Sequence, residues 1–161
     1  MVCKKKIKSF INILNERQIK LCLAESITGG NFAFEIIKNA GASKIIDFSI
    51  VCYSNSSKQK ILKIDNEISK FGVVSKQVAE SMAKNAIKFS NDKSTLALSC
   101  TGQAGPEKIN ESENIGLVYI GANFNKIKYS FKREIIKQNR ILIINQTINE
   151  MIDIGMKIIQ K

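Results

Sequence analysis

Three stretches of this 161-residue chain set reactive side chains beside backbone of the kind that holds a small ligand. The first, Ala24-Glu25-Ser26-Ile27-Thr28-Gly29-Gly30, places hydroxyls and glycines where an apolar run gives way to a helical pattern. A helix N-terminus favours anions, so a phosphate or a developing oxyanion suits the amides of Thr28, Gly29 and Gly30. Glycine also lets a ligand approach the backbone closely. Any capped strand-to-helix turn prefers the same residue types, so spacing alone leaves both readings open. The second stretch is Tyr53-Ser54-Asn55-Ser56-Ser57-Lys58. Lys58 falls one helical turn after Ser54, just past the end of a predicted buried strand, where open α/β sheets place their sites. In a dry pocket a Lys loses its proton near neutral pH and serves as a general base; on a wet surface it is one solvated cation among many. The third, Thr101-Gly102-Gln103-Ala104-Gly105-Pro106, again follows a strand, and its glycines suit a phosphate or nucleotide as well as a plain turn.

The chain contains no histidine. That removes Ser-His-Asp and Cys-His catalysis, histidine-ligated metals and any histidine acid or base. A hydrolase built from this sequence must use a Lys, a carboxylate or a water they orient.

Residues that do chemistry need elements to hold them. Ile7, Phe10, Ile11 and Leu14 recur at helical spacing, so 4–17 is a helix with one apolar stripe. Strands are predicted over 19–24, 45–53 and 95–100, the second apolar on both faces apart from Asp47 and Ser49, the third a buried central strand. Helices follow over 28–39, carrying Phe32, Ile36 and Ile37, and from Ser54 and Asn55 through Ile61 and Leu62. Ser75 caps another, with Val78, Met82 and Phe89 facing inward. Runs 115–123 and 127–132 flank a short polar connection and read as a hairpin. A last helix repeats Ile141, Ile144, Ile148, Met151, Ile152 and Ile159. Alternating strands and helices followed by a hairpin predict a three-layer α/β/α sandwich with a mixed sheet, in a single domain over 1–161.

Charge and cysteines narrow the class. Twenty-five Lys and Arg against fourteen acids give a net charge of +11, which points to an anionic partner, either nucleic acid or a phosphorylated small molecule. The lysines are scattered through a chain rich in Ile, Lys and Asn, and there is no stacked aromatic motif or basic recognition helix, so nucleic acid is the weaker of the two. Cys3, Cys22, Cys52 and Cys100 form no C-x-x-C pair; the last three lie in apolar runs as small buried hydrophobes, and no metal site or cofactor is expected. Neither a cleavable leader nor an apolar run of ~18 residues is present, so a cytoplasmic protein away from membranes is expected.

The three stretches in this order, with Gly41-Ala42-Ser43 and Gly72-Val73-Val74-Ser75 between them, resemble the CinA C-terminal domain family from about residue 4 to residue 158. The resemblance implies a stand-alone member, often a homodimer, that hydrolyses the carboxamide of nicotinamide mononucleotide to nicotinic acid mononucleotide and ammonia. It puts a Ser-Lys dyad on Ser26 and Lys58. A mechanism that fits has neutral Lys58 take the Ser26 proton, with the oxyanion held by amides at 28–30 or by Thr101 and Gly102. Tyr53 or Asn55 then orients the lysine or the ring, and Glu25, Thr101, Gly102, Gly105 and Arg140 are further candidates for the substrate, Arg140 through a bidentate grip on phosphate. The chain departs from the family at Ile27, at Glu107-Lys108-Ile109-Asn110-Glu111, at Glu113-Asn114-Ile115-Gly116, and at Ile144, where a second Arg is usual. Two alternatives remain beside the hydrolase: a family member that binds a nucleotide or partner without turnover, and a basic nucleic-acid-binding protein.

Overall fold

In the computed structural model, which describes residues 1–92, 94–107, 114–136 and 139–160, the chain runs α1 (Lys4–Glu16), β1 (Lys20–Glu25), α2 (Asn31–Ile37), β2 (Ile46–Val51), α3 (Asn55–Leu62) and α4 (Asp65–Phe71). It continues through α5 (Lys76–Ala86), β3 (Thr95–Gly102), β4 (Leu117–Phe124), β5 (Ile127–Glu134) and α6 (Arg140–Ile159). The strands form one sheet in the order β2-β1-β3-β4-β5. β1 is parallel to both β2 and β3, while β3/β4 and β4/β5 are antiparallel, which gives the expected mixed sheet. Because β2 lies on one side of β1 and β3 on the other, the C-terminal ends of three parallel strands share one edge at a point where the strand order reverses. Such an edge is where open α/β sheets bind ligands.

Side-chain size alternates across the sheet and sets the two layers. Leu21 and Leu23 of β1, Leu96, Leu98 and Cys100 of β3, and Val118, Ile120 and Ala122 of β4 join the core made with α1, α2 and α6. Ile7, Phe10, Ile11 and Leu14, the predicted stripe of α1, all enter it. The opposite face carries small residues: Cys22 and Ala24 on β1, Ala97 and Ser99 on β3, Gly121 on β4. Small side chains let α5 sit against the strands, close enough for the Ser99 hydroxyl to donate to the Ala79 carbonyl at 2.6 Å. A Cβ on Gly121 would stand 2.1 Å from that same carbonyl oxygen, so no other residue fits there without moving the helix.

Several details depart from the sequence reading. β2 is an edge strand, half-buried at Ile46, Phe48 and Ile50 and exposed at Asp47, Ser49 and Val51, because it has a neighbour on one side only. The helix expected over 28–39 begins at Asn31, since Gly29 and Gly30 hold φ of 60° and 90° and 28–30 form a turn. Phe89 is turned out of the core by a 3-10 turn after α5 and stacks on Phe48 with centroids 4.6 Å apart. Ile37 and Ile141 are exposed. α4 is an addition to the sequence reading; it fully buries no residue and meets the core only through Ile68, beside Ile64 at its start. Cys22, Cys52 and Cys100 are free, buried thiols. No helix among the described residues is long and apolar enough to cross a membrane.

Candidate active site

Ser26 is the first residue beyond β1, and Lys58 stands one turn into α3, whose N-terminus is capped by the Ser54 hydroxyl accepting from the Ser57 amide at 3.0 Å. The two side chains meet: Lys58 Nζ lies 2.9 Å from Ser26 Oγ. A backbone bond from the Cys52 amide to the Glu25 carbonyl, 2.8 Å, ties the ends of β2 and β1 together beside the pair.

Lys58 is 1 % exposed, and none of the acids among the described residues forms an ion pair with it. Burial therefore pushes its pKa below the ordinary 10.5, with the neighbouring thiols of Cys52 and Cys100 pulling weakly the other way. Its second partner is the Tyr53 carbonyl at 2.9 Å. A carbonyl only accepts, so it takes one N–H, and in the neutral amine the lone pair is left for the Ser26 hydroxyl proton. The surroundings satisfy the amine form without a counter-charge.

Glu25, next to Ser26, points to the other side of the sheet. It is fully buried, and its carboxylate accepts from Thr28 Oγ1 at 2.6 Å and from the amides of Gly30, Phe32 and Ala33 at 3.0, 3.1 and 2.9 Å. These are donors that the first turn of α2 would otherwise leave unsatisfied, and they solvate the anion in place of water. Thr28 has spent its one proton on Glu25, so the 3.2 Å contact between Thr28 Oγ1 and Cys100 Sγ is donated by the thiol. The amides of Ser26 and Thr28 in turn hydrogen-bond to that sulfur. Burial and then the Glu25 charge push the Cys100 thiol up to about 11, so it stays protonated.

This network corrects the placement of an oxyanion or phosphate at residues 28–30. The amide of Thr28 goes to Cys100, that of Gly29 to the Ser26 carbonyl at 3.1 Å, and that of Gly30 to Glu25. The helix N-terminus already holds an anion, its own. Glu25, Thr28, Gly29 and Gly30 shape the turn that carries Ser26 and do not line the cavity beside it. We expect Glu25→Gln to lower the unfolding free energy by about 2–4 kcal/mol, since the inserted NH2 faces N–H groups. Urea denaturation reads this directly, and a loss below about 0.5 kcal/mol would show that the carboxylate is not what fixes the turn.

The cavity itself has a volume of about 260 Å³, just under the roughly 300–1,000 Å³ typical of ligand pockets, a size for a small molecule. Ser26 and Lys58 form part of its wall, and with them stand Tyr53, Asn55, Thr101, Gly102, Gly105 and Arg140. Arg140, the first residue of α6, donates to the Gly105 carbonyl at 2.5 Å and to the Tyr53 hydroxyl at 2.8 Å, so it joins the two sides of the mouth. The Thr101 hydroxyl is spent on the Val73 carbonyl at 2.8 Å.

Ile27, Val73 and Val74, not among the sequence candidates, also stand in the wall, with Gln103 and Ala104 of the third stretch and Glu107 of the divergent stretch after it. Val73 and Val74 come from the link between α4 and α5, and only the cap at Ser75 hinted at a fixed turn there. Of the divergent stretch after Pro106, Glu107 lines the cavity, while residues 108–113 lie outside the described residues. Among the described residues no group of three or more Cys, Asp or Glu is placed to hold a metal ion.

Residues 4–159 match the family model described as the CinA C-terminal domain. A CinA-like protein of Endomicrobium trichonymphae is 38% identical over 143 residues, covering 88% of this chain and 33% of that protein. The chain spans about a third or less of the length of the curated relatives it matches. Among solved structures, the competence/damage inducible protein CihA from Agrobacterium tumefaciens superimposes with a TM-score of 0.89 at 25% identity, over 96% of this chain and 93% of that one. A CinA superfamily protein from Klebsiella pneumoniae gives 0.91 at 21% identity, over 98% of each, and shows the same fold.

Proposed function

The chain belongs to the CinA C-terminal domain family, and from that premise we propose that it hydrolyses the carboxamide of nicotinamide mononucleotide to nicotinic acid mononucleotide and ammonia. The observation that carries the reading is the buried amine of Lys58, 2.9 Å from the Ser26 hydroxyl at the wall of a small cavity. The histidine-free chain has no imidazole to offer as a base, and an amine with a depressed pKa fills that role.

In the proposed cycle, neutral Lys58 accepts the proton of Ser26 as Oγ bonds to the carboxamide carbon. With the amides of residues 28–30 engaged, the oxyanion falls to those of Ile27, Ala104 and Gly105, residues that line the cavity. The C–N bond then breaks, and protonated Lys58 gives its proton to the departing nitrogen, which leaves as ammonia. Water, giving a proton to Lys58, attacks the ester carbon, and Lys58 passes that proton to Ser26 Oγ as the C–O bond breaks, freeing the acid and restoring the neutral amine. Tyr53 and Asn55 orient the pyridine ring, and Arg140 faces the phosphoribosyl end. We place this activity in pyridine-nucleotide salvage, in the cytoplasm, with the protein acting as a homodimer.

The test is ammonia release from nicotinamide mononucleotide by the folded protein, followed with a coupled dehydrogenase. Turnover is the expected result. Tight binding of the nucleotide with no ammonia would instead favour a ligand-binding module that retains the site without its chemistry.

A further inference from the structure

Among the described residues, four ionisable side chains line the cavity: Tyr53, Lys58, Glu107 and Arg140. Apart from the proposed base, the described residues bring one cation, Arg140, and one carboxylate, Glu107, to the wall. Two of the guanidinium's donors are already committed to Gly105 and Tyr53. Glu107 is exposed and stands two residues beyond Gly105, on the strand of chain that Arg140 holds. Its carboxylate and the Arg140 guanidinium therefore border the same small space. A phosphate monoester arriving there carries close to two negative charges at neutral pH, and beside the Arg140 guanidinium it meets the Glu107 carboxylate. A pyridinium ring and a sugar diol fare differently, since a carboxylate attracts the first and accepts hydrogen bonds from the second.

We infer that Glu107 is a specificity-determining residue that weighs against a phosphate dianion, so that the substrate class of this site is pyridinium carboxamide nucleosides in general, with the phosphate dispensable. The inference rests on the amide hydrolysis proposed above and concerns only which tail the substrate carries. Because Glu107 is in contact with water, its repulsion of the phosphate is modest and screened by salt.

The experiment measures kcat/KM for ammonia release from nicotinamide mononucleotide and from nicotinamide riboside, for wild type and Glu107→Gln. The two substrates share the scissile bond, so the ratio cancels any change in the dyad itself. Wild type is expected to use the two within about tenfold of each other, and Glu107→Gln to shift the ratio toward the mononucleotide by about three- to thirtyfold. That shift should shrink in about 0.5 M salt. A ratio that stays within about twofold of wild type, on the scale of a negligible surface charge effect, overturns the inference and leaves the hydrolase standing. Absence of ammonia from both amides, with folded protein, overturns the hydrolase reading and this inference together.

Discussion

Ser26→Ala protein should release ammonia from nicotinamide mononucleotide at least about 10³-fold more slowly than wild type, the scale of loss when a covalent nucleophile is removed. It should melt within about 2 °C of wild type, because the change deletes one oxygen at the rim of a cavity and leaves no buried carbonyl or carboxylate without its donor. Lys58 keeps the Tyr53 carbonyl, the Ser26 amide keeps Cys100, and the donors to Glu25 come from Thr28, Gly30, Phe32 and Ala33. Substrate binding should survive, which separates lost chemistry from a lost site. A Ser26→Ala protein that turns over at the wild-type rate would remove the acyl-enzyme from the mechanism.

Lys58→Met carries the second large effect. Met matches the Lys stem in length without the amine, so the cavity wall stays filled while the base disappears. Activity should again fall by about 10³-fold or more, and the residual rate should lose the pH dependence that the amine imposes. In wild type that dependence rises with pH through the lowered Lys58 pKa, since only the neutral amine accepts the Ser26 proton. Stability moves with its own sign. In the window between the lowered folded value and the ordinary 10.5, the unfolded chain holds a proton that the folded chain does not. Wild-type stability therefore climbs with pH across that window, by up to about 1.4 kcal/mol per pH unit from this group. Below the folded value the cost of burying the ammonium is fully present, and above 10.5 it is gone. Relative to Lys58→Met, wild type should gain stability as pH rises, as chemical denaturation at a series of pH values will show. An unchanged difference across that series would mean that the folded and unfolded forms titrate alike.

That Ser26 and Lys58 stand near each other was legible in part, because each lies just past the end of a strand that periodicity identifies, and the structure brings them to 2.9 Å. What Glu25 does was not legible, although the information was present in part. Leu21, Leu23 and Glu25 share one face by strand alternation, and that face meets α2. Which amides would receive the carboxylate depended on where α2 begins, and Gly29 and Gly30 delay that start by adopting left-handed turns. The exposure of β2 depended on strand order, a property of distant pairings that no local pattern carries. Phe89 lies one step past the helix whose spacing it fits, so its inward placement failed only at the geometry of the final turn. The cavity wall drew also on Val73 and Val74 in the link before α5, which does not announce itself without the neighbours that tertiary structure supplies.

The adjacency of Glu25 and Ser26 gives β1 a kind of reading frame. One residue belongs to the layer of α1, α2 and α6, where it anchors a helix. Its neighbour belongs to the layer of α3 and α5, where it meets Lys58. Substitution of the Ser26 side chain leaves the Glu25 carboxylate and its donors in place, whereas substitution of Glu25 acts on the turn that carries Ser26. Loss or gain of a single residue between Lys20 and Glu25 does something else: it exchanges the two faces, presenting a carboxylate to the amine and a hydroxyl to the amides of α2. The length of this strand is thus as much a part of the proposed chemistry as the identity of the serine, and insertions or deletions here are a harsher class of change than a point substitution.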